Sequence, residues 1–157
     1  MATLLGQPAP DFTLKSNSGP DITLSSFRGA KNVLLIFYPL DFSPVCSIQL
    51  PEFSSQRDFF DDEATEIIGV NRDSIHTHKA WAKEYGISVP LLSDMTGSVA
   101  RKFGVFNDAA NMSKRATFLI DKSGKVVLEH IEAEAGDYTL HVGEMLDRLK
   151  QLNSQPA

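Results

Sequence analysis

The run VLLIFY at 33–38 constrains this chain more than any other stretch, because it offers no polar position to turn toward water. A strand with one wet face alternates apolar and polar residues; a continuously apolar strand is covered on both faces, as in a sheet flanked by helices. EIIGV at 66–70 repeats the pattern. Between the two, a helix is expected from Pro44 to about Phe60, kinked just after its first two turns, where Pro51 removes a backbone hydrogen bond. Ser74 to Tyr85 reads as a second helix, with His78, Trp81 and Tyr85 on one stripe and Gly86 as its stop. A short strand around Leu91–Leu92 and a short helix from Ser98 to Phe103 follow.

Two hairpins frame this middle. DFTL (11–14) and DITL (21–24) flank SNSGP near the start, and ATFLID (116–121) and KVVLEHI (125–131) flank KSG. The last helix is expected to start near Asp137 as N-cap, with Val142, Met145, Leu146, Leu149 and Leu152 on one apolar face. The tail from Asn153 to Ala157 reads as frayed. Parallel crossovers followed by a late antiparallel hairpin fit an α/β, thioredoxin-like fold with an added N-terminal β-hairpin. A flavodoxin-like sheet would need regular β-α alternation to the end.

The 157 residues suit one domain spanning 1–157, able to bury a core without metal or disulfide staples. A net charge of −5 gives no general attraction to nucleic acid or anionic membrane. No apolar run is long enough to span a bilayer, and no signal-peptide pattern opens the chain. The single cysteine cannot form an internal disulfide, which favours a reducing, cytoplasmic setting. With neither a G-x-G-x-x-G nor a P-loop, no nucleotide cofactor is implied.

A lone cysteine is more often a small buried hydrophobe than a reagent. The neighbourhood of Cys46, YPLDFSPVC, argues otherwise. A buried strand ends at Tyr38, Pro39 enforces a turn, and Ser43-Pro44 has the form of an N-cap followed by proline at N1. Counted so, Cys46 is N3, and the Ser43 oxygen accepts its amide hydrogen. Unsatisfied amides and the helix macrodipole favour an anion there, and thiolate is the nucleophilic form.

The spacing Pro39-x-x-x-Ser43-x-x-Cys46 resembles the signature of the peroxiredoxins, with serine where threonine is commoner. The resemblance extends along nearly the whole chain. GQPAPDFTL is similar to the family's opening, GVNRDSIHTHKAW to its second strand and helix, and PLLSD to the segment after. KRATFLIDKSGKV resembles the stretch that carries the family's active-site arginine, which places that role on Arg115. FGVFNDAAN and the missing second cysteine look most like the alkyl hydroperoxide reductase E type, with the bacterioferritin comigratory protein group nearest to it. Gln49 corresponds to a Glu or Gln that helps to hold the arginine; at i, i+3 from Cys46 it shares a helix face with it.

The resemblance implies a cofactor-free peroxidase for hydrogen peroxide and organic hydroperoxides, with Cys46 as nucleophile and Ser43, Pro39 and Arg115 completing the pocket. Attack on the peroxide makes a sulfenic acid. Many relatives carry a resolving cysteine five residues on, where this chain has Pro51. Regeneration is therefore expected from an external thiol, either a small thiol or a thioredoxin- or glutaredoxin-like protein. A homodimer is expected, with Phe42 and Phe106 as loop residues available to it. The rival function is a peroxide sensor that signals through Cys46 oxidation with little turnover. His76-x-His78 suggests a metal only weakly, since the two side chains leave a helix in different directions and no carboxylate cluster joins them. Arg101 and Lys114 match no motif and read as solvated.

Overall fold

The computed structural model describes residues 3–154. Its elements in chain order are β1 (Thr13–Ser16), β2 (Gly19–Thr23), a 3-10 turn (Leu24–Phe27), β3 (Asn32–Phe37), α1 (Cys46–Ser55), α2 (Arg57–Asp62) and β4 (Thr65–Asn71). There follow α3 (Ile75–Tyr85), β5 (Leu91–Ser93), α4 (Ser98–Lys102), β6 (Phe106–Asn107), β7 (Met112–Ser113), β8 (Ala116–Ile120), β9 (Val126–Ile131) and α5 (Val142–Ser154). Seven strands form one sheet in the order β2-β1-β5-β4-β3-β8-β9, and β6 with β7 makes a separate small ladder. No helix among the described residues is long and apolar enough to cross a membrane.

β3 is buried at every position, as its composition requires. The side chains of β3, and of Tyr38 just after it, alternate between two cores. Leu34, Ile36 and Tyr38 join Leu50, Phe53, Phe60, Trp81, Met145 and Leu149 on one face. Val33, Leu35 and Phe37 join Phe12, Val99, Ala100, Phe103 and Phe118 on the other. The sheet is thus sandwiched, and the α/β, thioredoxin-like class expected from the sequence is the one observed. Parallel pairing of β3 with β4 puts both strand ends, Phe37 and Val70, side by side.

Four local expectations need correction. The first hairpin turns at Asn17-Ser18, so β2 begins at Gly19, inside the stretch read as loop. The long helix does not begin at Pro44 and is not continuous to Phe60: it starts at Cys46, carries Pro51 within it, and breaks at Gln56, whose φ of −103° and ψ of 12° leave the helical range. The break turns Phe60 back onto Phe53, with ring centroids 5.9 Å apart. The last helix starts at Val142, not near Asp137. Asp137 instead closes a turn, its carboxylate accepting the Glu134 amide hydrogen at 3.2 Å. Its apolar face is as read: Val142, Met145 and Leu149 are buried, with Leu146 and Leu152 packed beside them. Finally, Asn153 is not frayed, since its amide donates to the Glu63 carbonyl at 2.8 Å and its Oδ1 accepts from Asn32 at 3.2 Å. Residues 155–157 of the expected tail lie outside the described residues.

Candidate active site

β3 delivers its last side chains to a short loop over residues 39–45. Tyr38 is fully buried and stacks on Trp81, with centroids 5.4 Å apart and planes at 26°. Pro39 is buried beside it. Phe42 has a φ of 66°, a left-handed backbone that few side chains adopt. That turn brings Ser43 back on the loop, so that the Leu40 carbonyl accepts both the Ser43 amide, at 3.4 Å, and its hydroxyl, at 2.7 Å.

Ser43 therefore does not cap α1 with its side chain. The N-cap is Val45, already in helical conformation and without a side-chain cap. The Ser43 carbonyl still takes part, accepting the Ser47 amide hydrogen at 2.9 Å. Cys46 is the first residue of α1, not its third, and remains in the first turn, where amides lack intrahelical acceptors.

Antiparallel pairing of β8 with β3 sets Ala116 opposite Phe37. Arg115, one residue earlier, consequently lies over the end of β3 where α1 begins. Its Nη2 stands 3.2 Å from the Cys46 Sγ and donates to the Ala135 carbonyl at 2.9 Å. Its Nη1 donates to the Gln49 Oε1 at 2.6 Å. Cys46 is fully buried, and Arg115 and Gln49 are each 2% exposed. The guanidinium is thus held against the sulfur in a medium that screens little, where charges interact more strongly than in water.

The fold thus joins Cys46, Gln49 and Arg115 in one hydrogen-bonded group, with Ser43 and Pro39 in the adjoining loop and not bonded to the sulfur. Arg101 is elsewhere: it pairs with Asp108 at 3.0 Å and lies over the Phe106 ring. Phe106 is half-buried beneath it.

Sequence reasoning missed a second polar group under the same loop. His78 is not aimed at a metal with His76, which is exposed; its Nδ1 meets the Asp41 Oδ2 at 2.5 Å and its Nε2 meets the Leu92 carbonyl at 2.9 Å. A carboxylate does join this histidine, but from the loop before Cys46, not from its own helix. Among the described residues no cluster of three or more histidine, cysteine or carboxylate side chains could hold a metal. The Tyr38 hydroxyl donates to Asp41 Oδ1 at 2.8 Å. Burial first, then the charges of Asp41 and Cys46, push the Tyr38 phenol well above its ordinary range, so it stays a donor.

Comparison with known proteins identifies the family. Residues 5–129 match the family model described as the AhpC/TSA family. Alkyl hydroperoxide reductase E of Mycobacterium tuberculosis is 39% identical over 122 residues, covering 76% of this chain and 80% of that protein. Among solved structures, reduced 2-Cys peroxiredoxin of Plasmodium vivax superposes with a TM-score of 0.88 at 32% identity, over 96% of this chain and 82% of that one. Peroxidoxin BcpB of Mycobacterium tuberculosis gives 0.84 at 27% identity, over 96% and 99%. A model match over most of the chain, a relative this similar and a shared fold converge: the chain belongs to the AhpC/TSA family of peroxiredoxins and is a thiol-dependent peroxidase.

Proposed function

We propose that Cys46 is the peroxidatic nucleophile and that an external thiol regenerates it. The observation that carries this reading is the Arg115 guanidinium, fixed on Gln49 and Ala135, with its second nitrogen 3.2 Å from the sulfur. The Cys46 thiolate attacks the terminal oxygen of a hydroperoxide. A sulfur–oxygen bond forms, the oxygen–oxygen bond breaks, and the alcohol or water leaves after taking up a proton. Sulfur is oxidised by two electrons and the peroxide is reduced. Negative charge passes from sulfur onto both oxygens, and the planar fork of Arg115 can follow it. Ser43 already donates to Leu40, which leaves its oxygen free to accept the peroxide's own O–H. Pro39, buried in the loop before Cys46, helps to shield the sulfur from bulk water.

The sulfenic acid then condenses with a thiol, releasing water and forming a mixed disulfide, and a second thiol displaces Cys46. Small thiols or a redoxin-type protein fit this role. One cysteine in the chain also fits a reducing, cytoplasmic setting. Homodimers formed around the active-site loops suit the exposed pair Phe42 and Tyr85, 44% and 40% exposed with rings in edge contact. Phe106, covered by Arg101, is left out of that face.

Peroxide consumption with dithiothreitol as reductant tests the reading. Sustained turnover that Cys46→Ser abolishes is the expected result. One stoichiometric event without turnover would assign the protein to signalling instead.

A further inference from the structure

The loop leading into Cys46 is held from below by side chains that the reaction itself does not touch. Asp41 and His78 have fully buried side chains. The Leu92 carbonyl can only accept, so the His78 Nε2 carries a proton, and a second proton lies between Nδ1 and the Asp41 carboxylate. Asp41 Oδ1 accepts from Tyr38 at the end of β3 and from the Asn71 Nδ2, at 3.0 Å, at the end of β4. The Asp41 amide donates to the Asp73 Oδ2 at 2.8 Å, and that oxygen also accepts from Asn71. Three separate elements, β3, β4 and α3, therefore converge on one loop residue.

Replacing a buried polar or charged pair by packed apolar side chains is often neutral or stabilising, so stability alone does not account for such a set. What the polar set adds is direction, since each bond fixes the Asp41 carboxylate in one orientation. Its neighbour Phe42 holds a strained backbone, and such strain persists only where the surroundings over-determine it. Immediately beyond, Ser43 is folded onto Leu40. Releasing Asp41 would free residues 40–43, whereas the bonds of Arg115 to Gln49 and to the Ala135 carbonyl do not involve that loop.

We propose that Asp41 and His78 are positioning residues: through the loop they set Ser43 against the incoming hydroperoxide, without altering the reactivity of the sulfur itself. This rests on Cys46 being the nucleophile. The test compares two reagents on the same protein, hydrogen peroxide and iodoacetamide, which alkylates a thiolate without needing Ser43. Asp41→Ala is expected to slow the peroxide reaction by roughly tenfold or more, the scale on which a misplaced reacting group is felt, with the iodoacetamide rate little changed. Asp41→Asn should recover most of the loss. Its amide oxygen can still accept from Tyr38 and Asn71, and its N–H can donate to a neutral His78 Nδ1.

Should Asp41→Ala fail to melt cooperatively, Asp73→Ala serves instead, since Asp73 is only partly buried and holds the Asp41 amide. It should show the same split between reagents. A folded Asp41→Ala or Asp73→Ala protein with the wild-type peroxide rate would overturn the proposal. So would equal slowing with both reagents, or an Asp41→Asn protein as slow as the alanine variant. Wild-type protein that is alkylated at Cys46 yet ignores peroxide would instead remove the nucleophile reading on which the proposal stands.

Discussion

At Arg115, the guanidinium is asked to touch three acceptors at once: the Cys46 sulfur, the Gln49 amide oxygen and the Ala135 carbonyl. Lysine carries the same charge on a single nitrogen and cannot span them. Arg115→Lys is expected to lower the second-order rate with hydrogen peroxide on the order of a hundredfold, as does loss of one preorganised donor elsewhere. Stopped-flow measurement of Cys46 oxidation would show it, and an unchanged rate would mean that the arginine does not stabilise the reacting charge. Gln49→Ala strips a buried donor of its acceptor, which costs about 1–3 kcal/mol; denaturant titration reads that loss, and the peroxide rate should fall with it. Gln49 and Arg115 were both legible in the sequence, one from its spacing to Cys46 and both from the family's motifs. Ala135 was not. Its contribution is a backbone carbonyl, and a carbonyl leaves no residue type by which to recognise it. Asp41 and His78 were equally hidden, because 37 positions separate them in the chain and only the packing of α3 against the loop joins them.

Individual elements show where local rules hold and where tertiary contacts override them. β3 and β4 were readable because an all-apolar run has few other places to go. α1 was misread at its start for a physical reason: Ser-Pro is a good cap signal, yet the left-handed Phe42 gives the Ser43 hydroxyl a closer acceptor in Leu40. Asp137 likewise serves a turn with the same chemistry that serves a helix cap. Gly69 in β4 was read only as part of an apolar run, but its missing side chain matters. A Cβ there would stand 2.9 Å from the Leu91 Cδ2 and 3.2 Å from both the Leu50 Cδ1 and the Tyr38 Cε1. All three neighbours are fully buried and have little room to retreat. Gly69→Ala is expected to destabilise by about 1–3 kcal/mol through overpacking, measurable by denaturant titration, and to press on both α1 and Tyr38. The connector from β9 to α5 has a pH dependence of its own. Burial pushes the Glu132 carboxyl up, but the Thr139 amide and hydroxyl and nearby His130 outweigh it, and the group lies below its ordinary range. A depressed carboxyl contributes stability that is present above its unfolded value, about 4.3, and lost as pH falls through the folded one. Acidification below about pH 4 should therefore loosen the loop that presents Ala135 to Arg115. The protection of the Thr139 amide, its exchange rate relative to that of an unstructured amide at the same pH, should fall there, and Glu132→Gln should remove that pH dependence.

Across the whole molecule, the sheet order explains why residues 69 positions apart meet: β8 returns antiparallel beside β3, so the entry to one strand adjoins the exit of the other. That pairing could be inferred from the sequence only as a fold class, since strand order is settled by long-range packing and not by local pattern. Assembly belongs to the same scale. A homodimer covering Phe42 and Tyr85 should appear in light scattering at high concentration, and a strictly monomeric mass would reject it. The fate of the oxidised sulfur is also a property of the whole chain, because it depends on which other thiols exist. Cys46 is the chain's one cysteine and is fully buried. One equivalent of peroxide should leave a sulfenic acid, seen as the gain of a single oxygen in intact mass. Adding a small thiol should yield a mixed disulfide, and more of it should release the free protein. Excess peroxide without thiol should carry the sulfur on to sulfinic acid, since no internal disulfide can intercept it. Two Cys46 sulfurs from separate chains are both buried, which makes their meeting harder than attack by a small thiol, so a disulfide-linked dimer should be at most a minor product on non-reducing gels. If that dimer were instead the main product at one equivalent, the chain would be resolving itself across subunits, and regeneration by an external thiol would have to be given up.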